Sequence, residues 1–541
     1  MEIVSEVNTI GWAPFGSAGT MTTLSLHTED DPARLPTAAV GDGHNPSGRY
    51  VVAAGRAGEE DGLCQVITSG ALQPRVTYRV AGWVSVVEEG SHPVRVSVRV
   101  NENEGSSVLD AGAVCAEAGK WTEIKGAFRL RESPMSADVY VHGAPAGVEL
   151  KVMDLRIIAT DHKARFAQLK EKTDKVRKRD VVLSFGGAAL GAELSSGASV
   201  RVVQLDNGFP LGTCINGNVI QDPAFVDFFT NHMDWAVFEN ELKWYWTEAQ
   251  RGQLNYNDAD HLLDFCDRLG KPVRGHCIFW AVDGAVQQWI KDIGGDRDQL
   301  MSVVQDRLRS LLSRYAGRFP HYDVNNEMLH GRFYRDRLGE DVSSLMFREA
   351  ARLDPGAALF VNDYNVECAN DPNATPEKYM VLIDELRRGG AQVGGIGLQG
   401  HVSNPVGEVI CDAPPLTCPS GSPSSTSASK MRGSVLMTSR SCSARRTRTR
   451  QSRASSSGGL CRDTCGARMP PSSMPMALSM KQDKVAVRHS RGRIDAEGQF
   501  KFRGFHGTYI VQLTTPTGTK MLKTFTIGKG DATLVLDMEN L

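Results

Sequence analysis

The chain has no Phe, Tyr or Trp between Tyr379 and Phe500, and no Asp or Glu between Asp412 and Asp463. Inside that gap, residues 421–460 hold 13 Ser and 7 Arg. A stretch so poor in apolar side chains is not expected to order itself by burial. Other absences exclude whole classes of function. No window holds the roughly 20 apolar residues of a membrane-spanning helix. The start, Met1-Glu2-Ile3-Val4-Ser5-Glu6, has neither a basic nor an apolar stretch, so no secretory signal is read there and the compartment stays open. The net charge is −2, so neither nucleic acid nor an anionic membrane is expected as a partner. The 11 Cys are odd in number and form no short-spaced metal pattern, so no disulfide framework, metal or cofactor is expected. Cys266 and Cys277 read as buried thiols.

What is present fits several globular domains, since 541 residues exceed the size of one. Arg79 to Val86 and Val94 to Val100 alternate with period two between Gly- and Pro-rich turns, which predicts an antiparallel β-sandwich over 1–158. A Lys/Arg-rich stretch over 159–195 reads as a helical linker with a solvated face. Alternation returns at Phe500-Lys501-Phe502 and at Leu522 to Ile527, which predicts a small β-domain over 485–541.

The segment between, 196–484, has a different rhythm. Short apolar runs end in polar residues: Trp235 to Asn240, Pro272 to Trp280, Tyr322 to Glu327, Ala358 to Asn365 and Gly395 to His401. Amphipathic stretches lie between them: Tyr256 to Leu269, Gln299 to Tyr315 and Pro376 to Arg388. Strands that alternate with helices predict an α/β fold with a parallel sheet closed by helices. In a β/α barrel the C-terminal strand ends form the catalytic face. Glu327 is then a candidate general acid and Asn326 a candidate ligand of a sugar hydroxyl. The alternative for Glu327 is an N-cap or ion-paired residue at the start of a helix.

The motifs FENELKW, NYNDADHLLDFC, VRGHCIFW, YDVNNE, LFVNDYN and GIGLQGH, in this order over about Leu205 to His401, resemble glycoside hydrolase family 10, the endo-1,4-β-xylanases. The order of the surrounding modules resembles the plant members. The resemblance implies a (β/α)8 TIM barrel, retaining hydrolysis of xylan or another β-1,4-linked polysaccharide of the plant cell wall, and a monomer. It gives the acid/base role to Glu327. It puts Glu239, Asn240, Lys243, His276, Trp280 and Asn326 at positions that contact xylose units, and Gln399 and His401 beside the nucleophile. Trp280 also has a reading as plain core, and His401 as a structural histidine. Trp244 and Trp246 suit packing as well as binding. In the first segment, GKWTEIKGAFRL and ADVYVHGAPAGVELKVMDLRI resemble a carbohydrate-binding module of family 22. Its loop from Arg56 to Gly62 lacks that family's Trp. Trp83 and Trp121 suit the core, which leaves Tyr140 as the candidate for stacking on a sugar.

A barrel needs strands seven and eight, with their acids and aromatics, where the gap lies. A shifted reading frame accounts for it. The third base of each codon from Thr417 to Thr426, read with the next two bases, permits LPIWFTELDV, the family's strand-seven motif with its nucleophilic Glu. The same frame from Ser457 permits a strand-eight sequence. Residues 417–483 therefore read as frame-shifted, and the nucleophile as absent from this translation. The alternative function is an inactive carbohydrate-binding or non-functional product.

Overall fold

The computed structural model describes residues 9–16, 21–36, 45–102, 105–185, 198–368, 371–401, 489–530 and 532–538. Strands seven and eight and the frame-shifted stretch 417–483 fall outside these residues. The chain divides into two compact units, one of Met1–Gln168, Cys214–Ile220 and Ala236–Thr438, the other of Leu169–Thr213, Gln221–Trp235 and Ser439–Leu541.

The period-two alternation becomes two antiparallel five-stranded sheets. One runs Thr9–Phe15, Gly62–Ile67, Ser136–His142, Ser91–Glu102, Gly105–Glu117; the other runs Thr23–Thr28, Arg49–Ala54, Leu150–Ala159, Thr77–Val86, Thr122–Arg129. Alternate residues meet between them: Val80, Val84, Val96, Val98, Val139, Val141 and Val152 are each at most 1% exposed. Each such side chain contributes about 1.5–3 kcal/mol of burial free energy. A Cβ on Gly126 would lie 1.6 Å from the Ala111 carbonyl oxygen, so only glycine fits there. Trp83 is buried in a satellite cluster with Met153, against which Tyr50 and Trp121 pack. Tyr140 is buried as well: Phe15 stacks on it at 4.1 Å and His142 packs on it at 4.8 Å. The stacking candidate is thus covered within its own module. Arg56, in the loop that lacks the Trp, is spent on structure. Its guanidinium donates to the carbonyls of Asp61, Ala144 and Val148.

The α/β segment forms the expected parallel sheet. Its strands are β1 (Gly212–Ile215), β2 (Trp235–Phe238), β3 (Val273–Gly275), β4 (His321–Asp323), β5 (Ala358–Asp363) and β6 (Gly395–Leu398), in that spatial order. The pairings from β2 to β6 are all parallel. These are six strands of the β/α barrel fold. β1, Gly212-Thr213-Cys214-Ile215, had escaped the sequence pattern because it has no run of large apolar residues. Helices Asn257–Arg268, Arg297–Tyr315, Val342–Leu353 and Pro376–Arg388 lie between strands. Asp296 accepts from the Gln299 amide, and Thr375 from the Lys378 amide, which satisfies donors that a helix start leaves open. Leu300, Val304, Leu308, Leu311 and Leu312 bury the inner face of the longest of these helices. The chain after Asp323 continues as Asn325–Asn326, paired in parallel with Phe279–Trp280. No described helix is long and apolar enough to cross a membrane.

The tail strands, read from sequence as a separate domain, take partners from before the barrel. Lys178–Ser184 pairs with Gln499–Phe505 and Leu534–Asp537, and Ser199–Asn207 pairs with His489–Arg493 and Gly507–Thr514. Their common core holds Val181, Leu183, Val200, Val202, Phe500, Val511 and Leu513. Among the described residues of the supposed linker, His162–Arg177 is helical and Lys178–Ser184 is a strand. The apolar alternation of Val181 and Leu183 had been masked by the charged residues around it.

Candidate active site

The C-terminal ends of the parallel strands bring the polar residues together. Glu327 follows β4 in a left-handed backbone conformation, φ 62°, and is 8% exposed. Such a φ is uncommon for a side chain other than Gly, and it occurs where surrounding contacts impose it. Here the Glu327 amide donates to the Asn362 carbonyl of β5 at 2.9 Å. Its carboxylate accepts from Trp280 Nε1 at 2.6 Å and from Gln399 Nε2 at 2.9 Å. Residues at or after β3, β5 and β6 therefore hold Glu327: two fix its carboxylate and one its backbone amide. Among the described residues the carboxylate makes neither an N-cap bond nor an ion pair, and both of its partners are neutral donors.

Asn326 is wholly buried. Its Oδ1 accepts from Asn362 Nδ2 at 2.7 Å and from Gln399 Nε2 at 3.3 Å. Its Nδ2 has no protein partner among the described residues, an unsatisfied buried donor beside the carboxylate. Trp280 is half-buried and Lys243 Nζ lies 4.9 Å from its ring centre. Lys243 Nζ and Tyr245 Oη both donate to Asn240 Oδ1, at 3.1 and 2.9 Å. Glu239 accepts from Asn216 Nδ2 at 2.6 Å. His276 meets Asp323 through Nδ1 at 2.7 Å, which leaves Nε2 as the outward nitrogen, and Arg274 pairs with the same carboxylate at 2.6 Å. Burial alone would push the Asp323 carboxyl up. Arg274 and His276 outweigh it and hold Asp323 at about 2. Burial pushes His276 down, against the pull of Asp323.

Of the residues singled out in sequence, Glu239, Asn240, Lys243, His276, Trp280, Asn326, Glu327 and Gln399 all stand at this face. His401 is exposed, and its imidazole makes no hydrogen bond within the described residues. Trp244 is core, 5% exposed and edge-on to Phe279 and Trp289. Trp246 is 43% exposed and donates to Asp258. The supporting residues Asp323, Arg274, Asn362 and Tyr245 had carried no sequence signal of their own. Asp323, Arg274 and Asn362 find their partners 36 or more residues away in the chain, whereas Tyr245 reaches back only to Asn240. Beneath the loops, Arg307 is buried and donates to Ile278 O, Thr247 Oγ1 and Leu242 O, which ties the segment that carries Lys243 to the one that carries Trp280.

Residues 199–410 match glycosyl hydrolase family 10, and residues 11–147 match a carbohydrate binding domain. Endo-1,4-beta-xylanase 3 of Arabidopsis thaliana is 41% identical over 526 residues, covering 92% of this chain and 68% of its own length. The chain belongs to glycosyl hydrolase family 10. Endo-1,4-beta-xylanase 1 of the same plant is 39% identical over 562 residues and covers 99% of this family 10 chain. The chain spans 57% of that relative's length. Among solved structures, the CBM22-1 and GH10 modules of a Clostridium thermocellum endo-1,4-beta-D-xylanase align with 73% of the chain at 17% identity, TM-score 0.32. In this family 10 chain the carboxylate, the free amide nitrogen and the Trp280 ring all converge on one strand-end face.

Proposed function

We propose that the fold is that of a retaining endo-1,4-β-xylanase in which Glu327 is the acid/base. The observation that carries this reading is the carboxylate of Glu327, anchored by Trp280 and Gln399 with the Asn326 Nδ2 donor beside it. Retention needs a second carboxylate about 5–5.5 Å away. It attacks the anomeric carbon while Glu327 protonates the departing glycosidic oxygen. Glu327 then takes a proton from the water that releases the glycosyl-enzyme. Glu239, Asn240, Lys243, His276 and Asn326 supply hydrogen bonds to the sugar on one side of the cut, and Trp280 gives a flat apolar face. The relatives named above are endo-1,4-beta-xylanases by name, which supports xylan as the substrate.

A second reading rests on the absence of any acid between Asp412 and Asp463. No carboxylate is then supplied where strand seven should bring the nucleophile, and the chain as translated holds sugar without cleaving it. The test is to express two proteins, this chain and one with codons 417–483 restored to the other frame, and to assay both on xylan. The restored protein is expected to release xylo-oligosaccharides of retained anomeric configuration, and this chain none. An inverted first product would overturn the mechanism. Equal rates from both proteins would overturn the frame argument.

A further inference from the structure

A second polar cluster stands beside Glu327, and the proposed reaction leaves it unused. His330 lies three residues after Glu327, and its amide donates to the Glu327 carbonyl at 3.2 Å. Its Nδ1 meets Asp363 Oδ1 at 2.6 Å and its Nε2 meets Asp371 Oδ2 at 2.9 Å. Its ring stacks on Tyr364 with centroids 3.8 Å apart and planes within 11°. Asp363 itself accepts from the backbone amides of Leu329 at 2.8 Å and Tyr364 at 2.9 Å. Asp371 accepts from Asn365 Nδ2 at 3.0 Å. One imidazole therefore joins the loop after β4, which carries the acid, to the loop after β5, which carries Tyr364. Both ring nitrogens face carboxylates, and a neutral imidazole has only one N–H to give. The geometry calls for the imidazolium.

We propose that His330 is a positioning residue: its charged ring locks the Glu327 loop to the Tyr364 loop, and so fixes the half-exposed Tyr364 ring as a sugar-facing surface next to the acid. The proposal rests on the reading of Glu327 as part of a polysaccharide site. Burial alone would push His330 down, but its bonds to Asp363 and Asp371 outweigh burial and hold it up at about 9. The charged groups that face it are those two carboxylates, and Tyr364 lies across the ring. Burial raises the Tyr364 phenol, and Glu327, which lies beyond, raises it further. A raised histidine is fully charged below its unfolded value near 6.5 and loses its proton as the pH passes about 9. The lock should hold through neutral pH and open in alkali.

The test uses the full chain, with xylotetraose as the probe and calorimetry from pH 6 to pH 10. Wild type should bind evenly up to pH 8 and weaken above 9. His330→Gln should bind about tenfold more weakly at pH 7. His330→Arg should restore binding without the alkaline loss, because Arg stacks on rings, bridges carboxylates and does not titrate there. The proposal is overturned if His330→Gln binds as well as wild type, or if His330→Arg keeps the alkaline loss. Hydrogen exchange at the Leu329 and Tyr364 amides reads the lock without any sugar. Equal protection in wild type and His330→Gln overturns the lock. If wild type binds no xylotetraose while His330→Gln loses that protection, the lock stands and the polysaccharide reading fails.

Discussion

Gln399 reaches from the end of β6 past β5 and donates to Glu327 beyond β4, at 2.9 Å. A side chain can skip a strand in this way only where the sheet curls, so that the ends of the strands converge. The same amide nitrogen lies 3.3 Å from Asn326 Oδ1. One neutral donor thus holds the acid and its neighbour in register.

The first prediction concerns that carboxylate. In the frame-restored protein, Glu327→Gln should slow xylan cleavage by about 10²–10⁴-fold, the usual contribution of general acid–base catalysis. Aryl xylosides with good leaving groups should lose less in the first step, because they need no proton. Equal losses on both substrates would remove the acid role.

The second concerns Trp280. Trp280→Phe keeps a ring beside Lys243 but deletes the Nε1 donor to Glu327, whereas Trp280→Ala removes both. Michaelis kinetics of the restored protein should show mainly a kcat loss for Phe, and a KM rise as well for Ala. Identical profiles would mean that the ring itself does not touch sugar.

The third is a pH dependence. Asp323 is buried against Arg274 and His276 and stands at about 2. An unfolded Asp titrates near 3.9, so the stabilisation from this group is present above about pH 4 and is lost as the pH falls toward 2. Asp323→Asn should leave Arg274 buried without its anion and cost about 3–5 kcal/mol at pH 7. Denaturant melts at several pH values should show that difference shrink toward pH 2.

The fourth is chemical. Burial pushes the Cys266 and Cys277 thiols up to about 12. In the native protein at pH 8 neither should react with a thiol reagent, and both should react after denaturation. Native labelling of Cys277, identified by mass spectrometry, would show that the segment beneath Trp280 opens.

The fifth concerns the sandwich. Residues 9–160 should fold alone, because their core is closed between two sheets of their own. With Tyr140 covered by Phe15, calorimetry should find xylo-oligosaccharide binding no tighter than millimolar. Micromolar binding would place a sugar face elsewhere on the module.

The sequence by itself determined the barrel rhythm and most of the site. Apolar runs with period-two or buried character, closed by Glu, Asn, Trp, His or Gln, state where a parallel strand stops and what it presents. That information is local, and so Glu327, Asn326, Trp280 and Gln399 were legible. The acids missing between Asp412 and Asp463, and the aromatics missing between Tyr379 and Phe500, were legible for the same reason. What only the tertiary structure decided depends on partners distant in the chain. Asp323 matters because Arg274 and His276 come from another strand. Tyr140 loses its sugar face because a strand some 125 residues earlier lays Phe15 upon it. The strand Lys178–Ser184 belongs with residues beyond 489 because hydrogen-bonded edges are completed in space and not in sequence. His330 is an unremarkable histidine until the curl of the sheet sets Asp363 and Asp371 on either side of it.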